Sequence, residues 1–132
     1  MTLQIPPNCD LTLGLTCVDK TTPGTTVWTM VADERMTNPA GLIQGGFLAA
    51  MADSAMGASA VTALEGRRAS VVNTEMTISL LGAVRAGEKL TCTAKVLKAG
   101  KVVIFVEAHI IDAEGRGVAR AHSSFLARTR AE

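Results

Sequence analysis

The stretch GGFLAAMADSAMGASAVTAL, Gly45 to Leu64, decides how the chain folds. Ala, Met and Leu dominate it without a cluster of β-branched residues, so it predicts a helix starting at about Gly45 or Gly46. Gly66 beyond it offers a C-terminal cap, and Arg67 and Arg68 suit the negative end of the helix dipole. Apolar residues surround this helix on nearly every side, which predicts burial on all faces. Residues 42–64 are also about long enough to span a bilayer. Against that stand Asp53 in the middle, the polar Gln44, Ser54 and Ser59, the glycines Gly45, Gly46 and Gly57, and no Lys or Arg at the start. The run therefore belongs in a protein core, with no membrane partner expected.

Outward from the helix, the pattern changes to a period of two. Upstream, Pro6, Pro7 and Asn8 mark residues 1–10 as an irregular arm. In residues 11–18 and 25–32, Thr alternates with apolar or β-branched residues around the turn Thr21-Thr22-Pro23-Gly24, which predicts a hairpin. Residues 33–43, with Thr37, Asn38, Pro39 and Gly41, form a polar loop leading into the helix. Downstream, Val72, Thr74, Met76, Ile78 and Leu80 are assigned to one face of a strand and Asn73, Glu75, Thr77 and Ser79 to the other. Residues 90–96, 102–112 and 117–127 continue the series through turns at Lys98-Ala99-Gly100-Lys101 and Ala113-Glu114-Gly115-Arg116. The expected order is a hairpin, one long buried helix and an antiparallel meander of four strands. In such an α+β chain the sheet must curl around the helix, which describes a hotdog fold spanning residues 1–132 as one domain. The small residues Ala49, Ala50, Ala52, Ala55 and Ala58, together with the sheet edges, invite a second copy, so a homodimer or homotetramer is expected.

Composition narrows the function. Thirteen Lys and Arg against 12 Asp and Glu leave a net charge of +1, with no field to attract nucleic acid. Trp28, Phe47, Phe105 and Phe125 are the only large aromatics, too few for stacking platforms. Cys9, Cys17 and Cys92 show no CxxC spacing and suit reduced thiols. With no basic stretch followed by an apolar run at the start, a cytoplasmic location is expected.

Asp53 is the chemical outlier, a carboxylate among Met51, Ala52, Ser54, Ala55 and Met56. Buried carboxylates are costly unless paired or used, so Asp53 is a candidate general base or nucleophile held in a dry pocket; the competing structural account places it where the helix meets solvent, or has it accept hydrogen bonds from Ser54 or a neighbouring loop. The glycine pair opening the helix is the second feature. Free N–H groups at a helix N-terminus form a donor site for developing negative charge, and Gly45 is the candidate oxyanion donor. Eight residues separate Gly45 from Asp53, about 12 Å along one helix at ~1.5 Å per residue. One reacting carbonyl cannot touch both, unless one of them comes from a partner subunit whose helix runs antiparallel.

The run from Asn38 to Asp53, with its Gly45-Gly46 pair and the acid eight residues after Gly45, resembles the hotdog thioesterases of the phenylacetic acid degradation type. The resemblance extends through Gly87-Glu88-Lys89-Leu90 and Lys98-Ala99-Gly100-Lys101 to the last strand. It implies hydrolysis of acyl-CoA thioesters, with aryl or medium-chain acyl groups suited to an Ala, Met and Leu pocket, and with no cofactor or metal. By the resemblance, Asp53 activates water or attacks the thioester, and Gly45 donates to its oxygen. Asn38 and Gln44 help to hold it, and Asn73 stands where the family often has Ser or Thr beside the acid. The family usually has His-Gly-Gly where this chain has Gln44-Gly45-Gly46, and an amide donates but does not titrate near neutral pH. The resemblance also places CoA beside Leu81, Gly82, Arg85, Lys98, Gly100 and Lys101, where the basic side chains would face phosphates.

Other chemistries lack their residues. There is no GxSxG elbow, and His109 and His122 have no metal-ligand spacing. Cys17 and Cys92 read as small strand residues. The main alternative is a noncatalytic acyl-CoA or acyl-carrier binding protein of the same fold. Hydratase chemistry would need a His near the helix, and none occurs in residues 1–108. A purely structural oligomer is the remaining alternative.

Overall fold

A computed structural model describes residues 4–64 and 69–129. Gly66, Arg67 and Arg68, read above as a cap and dipole partners, lie outside them. The elements are α1 (Asn8–Leu13), β1 (Thr16–Asp19), β2 (Thr25–Val31), a 3-10 turn (Glu34–Met36), α2 (Gly45–Ala63), β3 (Ala69–Leu80), β4 (Lys89–Ala99), β5 (Val103–Ile111) and β6 (Gly117–Thr129). The strands form one antiparallel sheet in the order β1-β2-β4-β5-β6-β3, and α2 packs on it, giving the expected hotdog architecture.

Two local expectations change. The arm is not irregular throughout, and the first strand is short, because residues 8–13 form a helical turn. Gly14 closes it in the left-handed conformation, with Leu15 N–H donating to Asp10 C=O at 2.9 Å, and six residues are too few to show a helical period. The four downstream strands are also not one meander. Strands β4, β5 and β6 are, but β3 crosses over to pair with β6, and β2 pairs with β4. Alternation places a strand's faces and is silent about its neighbour, which the helix between β2 and β3 decides.

Leu48, Met51, Ala52, Ala55, Met56, Ser59 and Ala60 form the buried face of α2 against Met30, Leu90, Cys92, Ala94, Ile104, Val106 and Phe125. The helix is not buried on every side in the single chain, because a sheet covers only the side it faces. Asp53 and Val61 are exposed, and Ala50 and Gly57 are half-buried. Ala52 and Ala55, fully buried under the sheet, are unavailable to a second copy, whereas Ala49, Ala50 and Ala58 retain exposure.

A buried polar chain fixes the rotation of α2. Trp28 Nε1 donates to Thr26 Oγ1 at 2.9 Å, Thr26 Oγ1 lies 2.7 Å from Ser59 Oγ, and Ser59 Oγ donates to Ala94 C=O at 3.0 Å. Each hydroxyl has one hydrogen: Ser59 directs its own to Ala94, so the Thr26 hydrogen points to Ser59 Oγ and is shared with Ala55 C=O at 3.1 Å. Ser59→Ala removes the middle link and leaves Ala94 C=O without this donor. The expected loss is about 1–3 kcal/mol, read from the midpoint of denaturant unfolding.

The turn between β5 and β6 supports the loop after β3. Asp112 Oδ1 accepts from the N–H groups of Glu114 and Arg116, its Oδ2 accepts from Arg116 Nε at 3.0 Å, and Arg116 reaches Ala83 C=O at 2.8 Å. The Arg116 N–H, then the Glu114 N–H and the Arg116 guanidinium, hold the Asp112 carboxyl below its ordinary range against partial desolvation. Folding therefore favours ionised Asp112. That contribution is complete above the unfolded pKa of about 3.9 and is lost as pH falls through the lower folded value. Asp19 and Asp33 are shifted the same way by Thr21 and Arg35, so Asp112→Asn should remove only part of the fall in Tm on acidification below about pH 4.

Candidate active site

The entrance to α2 is pinned from both sides. Ile43 N–H donates to Val84 C=O at 2.8 Å and Gln44 N–H to Met36 C=O at 2.9 Å, which leaves Gln44 extended at φ −64° and ψ 136° as the N-cap. Gly45 and Gly46 then open the first turn, where N–H groups have no intrahelical acceptor. A Cβ on Gly45 would run into Leu80 Cδ1, so glycine is needed here for close approach to the end of β3.

Asn38 shapes the preceding loop. Its Oδ1 accepts from Ala40 N–H at 3.0 Å and Leu42 N–H at 3.1 Å, and its backbone N–H donates to Leu42 C=O at 2.7 Å. This commits the amide oxygen to the loop and leaves Nδ2 as the group available to a ligand. Gln44 is exposed and makes no side-chain cap bond.

Asp53 lies two turns further along α2, on the face the sheet leaves open, and is exposed in the single chain rather than held in a dry pocket. Asn73 Nδ2 donates to Asp53 Oδ1 at 2.9 Å and to Ser123 Oγ at 3.2 Å, while Asn73 Oδ1 is buried with no donor among the described residues. This meeting depends on a bulge. Asn73 pairs with Phe125 and Glu75 with Ser124, so Thr74 has no opposite residue, and its Oγ1 donates to Ser124 C=O at 2.8 Å. The extra residue shifts the phase of β3. Val71 and Asn73 face α2 before it, and Met76 and Ile78 after it, so Val72 and Asn73 take the opposite faces from those expected on strict alternation. The bulge therefore brings together Asp53 and Asn73, two of the expected site residues, and adds Ser123. Sequence reasoning missed Ser123, although a hydroxyl in phase with Ala121 and Phe125 on the core-facing side of a strand was the available signal.

The CoA candidates do not form one cluster. Leu81, Gly82 and Arg85 follow β3, near the entrance to α2. Leu81 and Gly82 donate to Val118 C=O, and a Cβ on Gly82 would lie 3.0 Å from Gly117 C=O. Arg85 bridges to Leu42 and lines an open cleft of about 800 Å³ with Glu88, Lys89 and Arg116. Lys98, Gly100 and Lys101 lie at the opposite end of β4, whose 11 residues span roughly 33 Å at ~3.3 Å each. Gly100 belongs there for close approach, since a Cβ would lie 2.8 Å from Val103 C=O. One CoA arm cannot touch both ends of a single chain.

The remaining polar groups sit elsewhere. His109 and His122 occupy the sheet face away from α2, where His109 Nε2 lies 3.8 Å from Glu107 Oε2, so both are strand-face residues as expected. Burial pushes the Cys92 thiol up to about 12, which keeps it an inert core residue. No group of three His, Cys, Asp or Glu side chains is placed to hold a metal among the described residues, and no described helix is long and apolar enough to cross a membrane.

The thioesterase superfamily profile matches residues 40–119, the span that includes Gly45, Asp53 and Asn73. Acyl-coenzyme A thioesterase 13 of Homo sapiens is 30% identical over 114 residues, covering 86% of this chain and 80% of the relative. Among solved structures, the Escherichia coli PaaI protein of the phenylacetic acid degradation operon superposes with a TM-score of 0.83 at 26% identity, covering 89% of this chain and 82% of that one. A phenylacetic acid degradation-related protein of Ralstonia eutropha superposes with a TM-score of 0.81 at 27% identity, covering 91% and 89%.

Proposed function

Because this chain belongs to the thioesterase superfamily, it is a thioester hydrolase, and we propose that it cleaves acyl-CoA esters carrying aryl or medium-chain acyl groups at a site shared between two subunits. The observation that carries this reading is Asp53, presented on the open face of α2 with its Oδ1 held by Asn73 and with Gly45 out of reach on the same helix. A second copy with its α2 antiparallel supplies Gly45, Gln44 and Asn38 to Asp53 of the first. Covering the open face also removes Asp53 from water, which strengthens its action on a polar substrate. The same pairing brings the two ends of the sheet from different subunits near one CoA arm. The assembly is a homodimer or homotetramer, and the free cysteines fit a cytoplasmic location.

In the reaction, the Gly45 N–H stabilises negative charge on the thioester oxygen as the carbonyl carbon becomes tetrahedral. Asp53 either takes a proton from the attacking water or attacks the carbon itself, forming an anhydride that water then opens. Both routes release the acid and CoA thiol. Gln44 donates a hydrogen bond where a His would also titrate, so it holds the substrate without changing charge.

Thiol release from phenylacetyl-, benzoyl- and medium-chain CoA tests the activity. The wild type should turn over at least one ester, and Asp53→Ala should lower kcat by about 10²–10⁴-fold. Equal traces from the two proteins would move the weight to the binding alternative.

A mixed dimer tests the shared site. Proline is tolerated at the first helical position and lacks an N–H, and the extended Gln44 suits a following proline, so Gly45→Pro removes the donor while keeping the helix. Leu80→Ala in the same chain makes room for the ring. Co-refolding this inactive variant with inactive Asp53→Ala should restore activity, because one of the two sites in each mixed dimer combines an intact Asp53 with an intact Gly45. A site built within one chain would show no recovery.

A further inference from the structure

Ser123 is 3% exposed on the inner face of β6, between Met76 of β3 and Val106 of β5. A hydroxyl in such surroundings is costly unless it is bonded, and its partner is the Asn73 amide at 3.2 Å. We propose that Ser123 is a positioning residue for the hydrolysis, holding the Asn73 amide in place against Asp53. The proposal rests on the reading above that Asp53 performs the chemistry.

The amide has two N–H hydrogens, and both are committed: one to Asp53 Oδ1 at 2.9 Å, the other to Ser123 Oγ. With the nitrogen tied at both sides, the amide plane cannot swing about its side-chain torsions. The charge on Asp53 selects which end faces it. If the amide turned over, its oxygen would meet a carboxylate oxygen at the same short distance, and two acceptors repel. The nitrogen therefore faces Asp53, and Oδ1 is left as a buried acceptor with no donor among the described residues. A buried acceptor without a partner is costly, so it is a place for a donor that arrives with the reaction, such as an attacking water. Among the described residues Ser123 makes no hydrogen bond to Asp53. It acts through Asn73, by holding a rotor that the Thr74 bulge delivers but does not lock.

The test uses Ser123→Ala, Asn73→Ala and the double variant in the full chain, with thermal melts to confirm folding. Thiol release gives kcat and KM, and the exchange rate of the Asn73 side-chain amide hydrogens is followed by NMR. Ser123→Ala should lower kcat about 10- to 100-fold with KM within about twofold, since misplacement of a group by ~1 Å can cost that much. The Asn73 amide hydrogens should exchange faster in Ser123→Ala than in the wild type. In the Asn73→Ala background, Ser123→Ala should change kcat less than about twofold, because a residue acting through Asn73 has nothing left to hold. Unchanged amide exchange overturns the proposal whatever happens to the rate. So does an unchanged kcat once the amide has come loose, or an equal kcat loss in both backgrounds. If the wild type hydrolyses none of the CoA esters, the functional reading falls, and the amide exchange alone still decides whether Ser123 holds Asn73.

Discussion

The hydroxyl chain from Trp28 through Thr26 and Ser59 to Ala94 sets the rotation of α2 about its own axis, and the placement of Asp53 and its neighbours follows from it. Aliphatic packing alone would hold this helix loosely in register, since Ala, Met and Leu fill almost any side of it and apolar contact has no direction. Hydrogen bonds do have direction. By tying Ser59 to the sheet, they set which side of the helix stays outside, and that side carries Asp53.

A second directional element completes the site from the sheet. The bulge at Thr74 changes which side of β3 faces the helix, so an amide reaches Asp53 where a regular strand would have sent it to the outer face. An acid on a helix and an amide on an edge strand thus meet because each element breaks its own pattern once. Such local irregularity is expected where function outweighs regular packing.

The proposed chemistry then exceeds what one chain holds. A donor at the start of α2 and an acid in its middle are fixed about 12 Å apart by the helical rise, a distance no side-chain movement closes for Gly45. In the proposed dimer the open face of α2 supplies the remedy, since a second helix laid against it would cover exposed apolar area and bring the complementary end of the site with it. Assembly and catalysis are in this reading one requirement.

The helix was legible in its composition, most strands in their period of two, the thioesterase resemblance in residues 38–53, and Asp53 and Gly45 in their residue type and spacing. These are local properties, written in spacing and residue type. Only the packed fold shows that β3 lies beside β6, that Asn73 rather than Val72 faces the helix, that Ala52 and Ala55 belong to the core, and that Ser123 meets the Asn73 amide. Each of these depends on which distant segment arrives opposite a residue. Alternation, propensity and motif spacing describe a chain only along its own length, so contacts between segments lie beyond them.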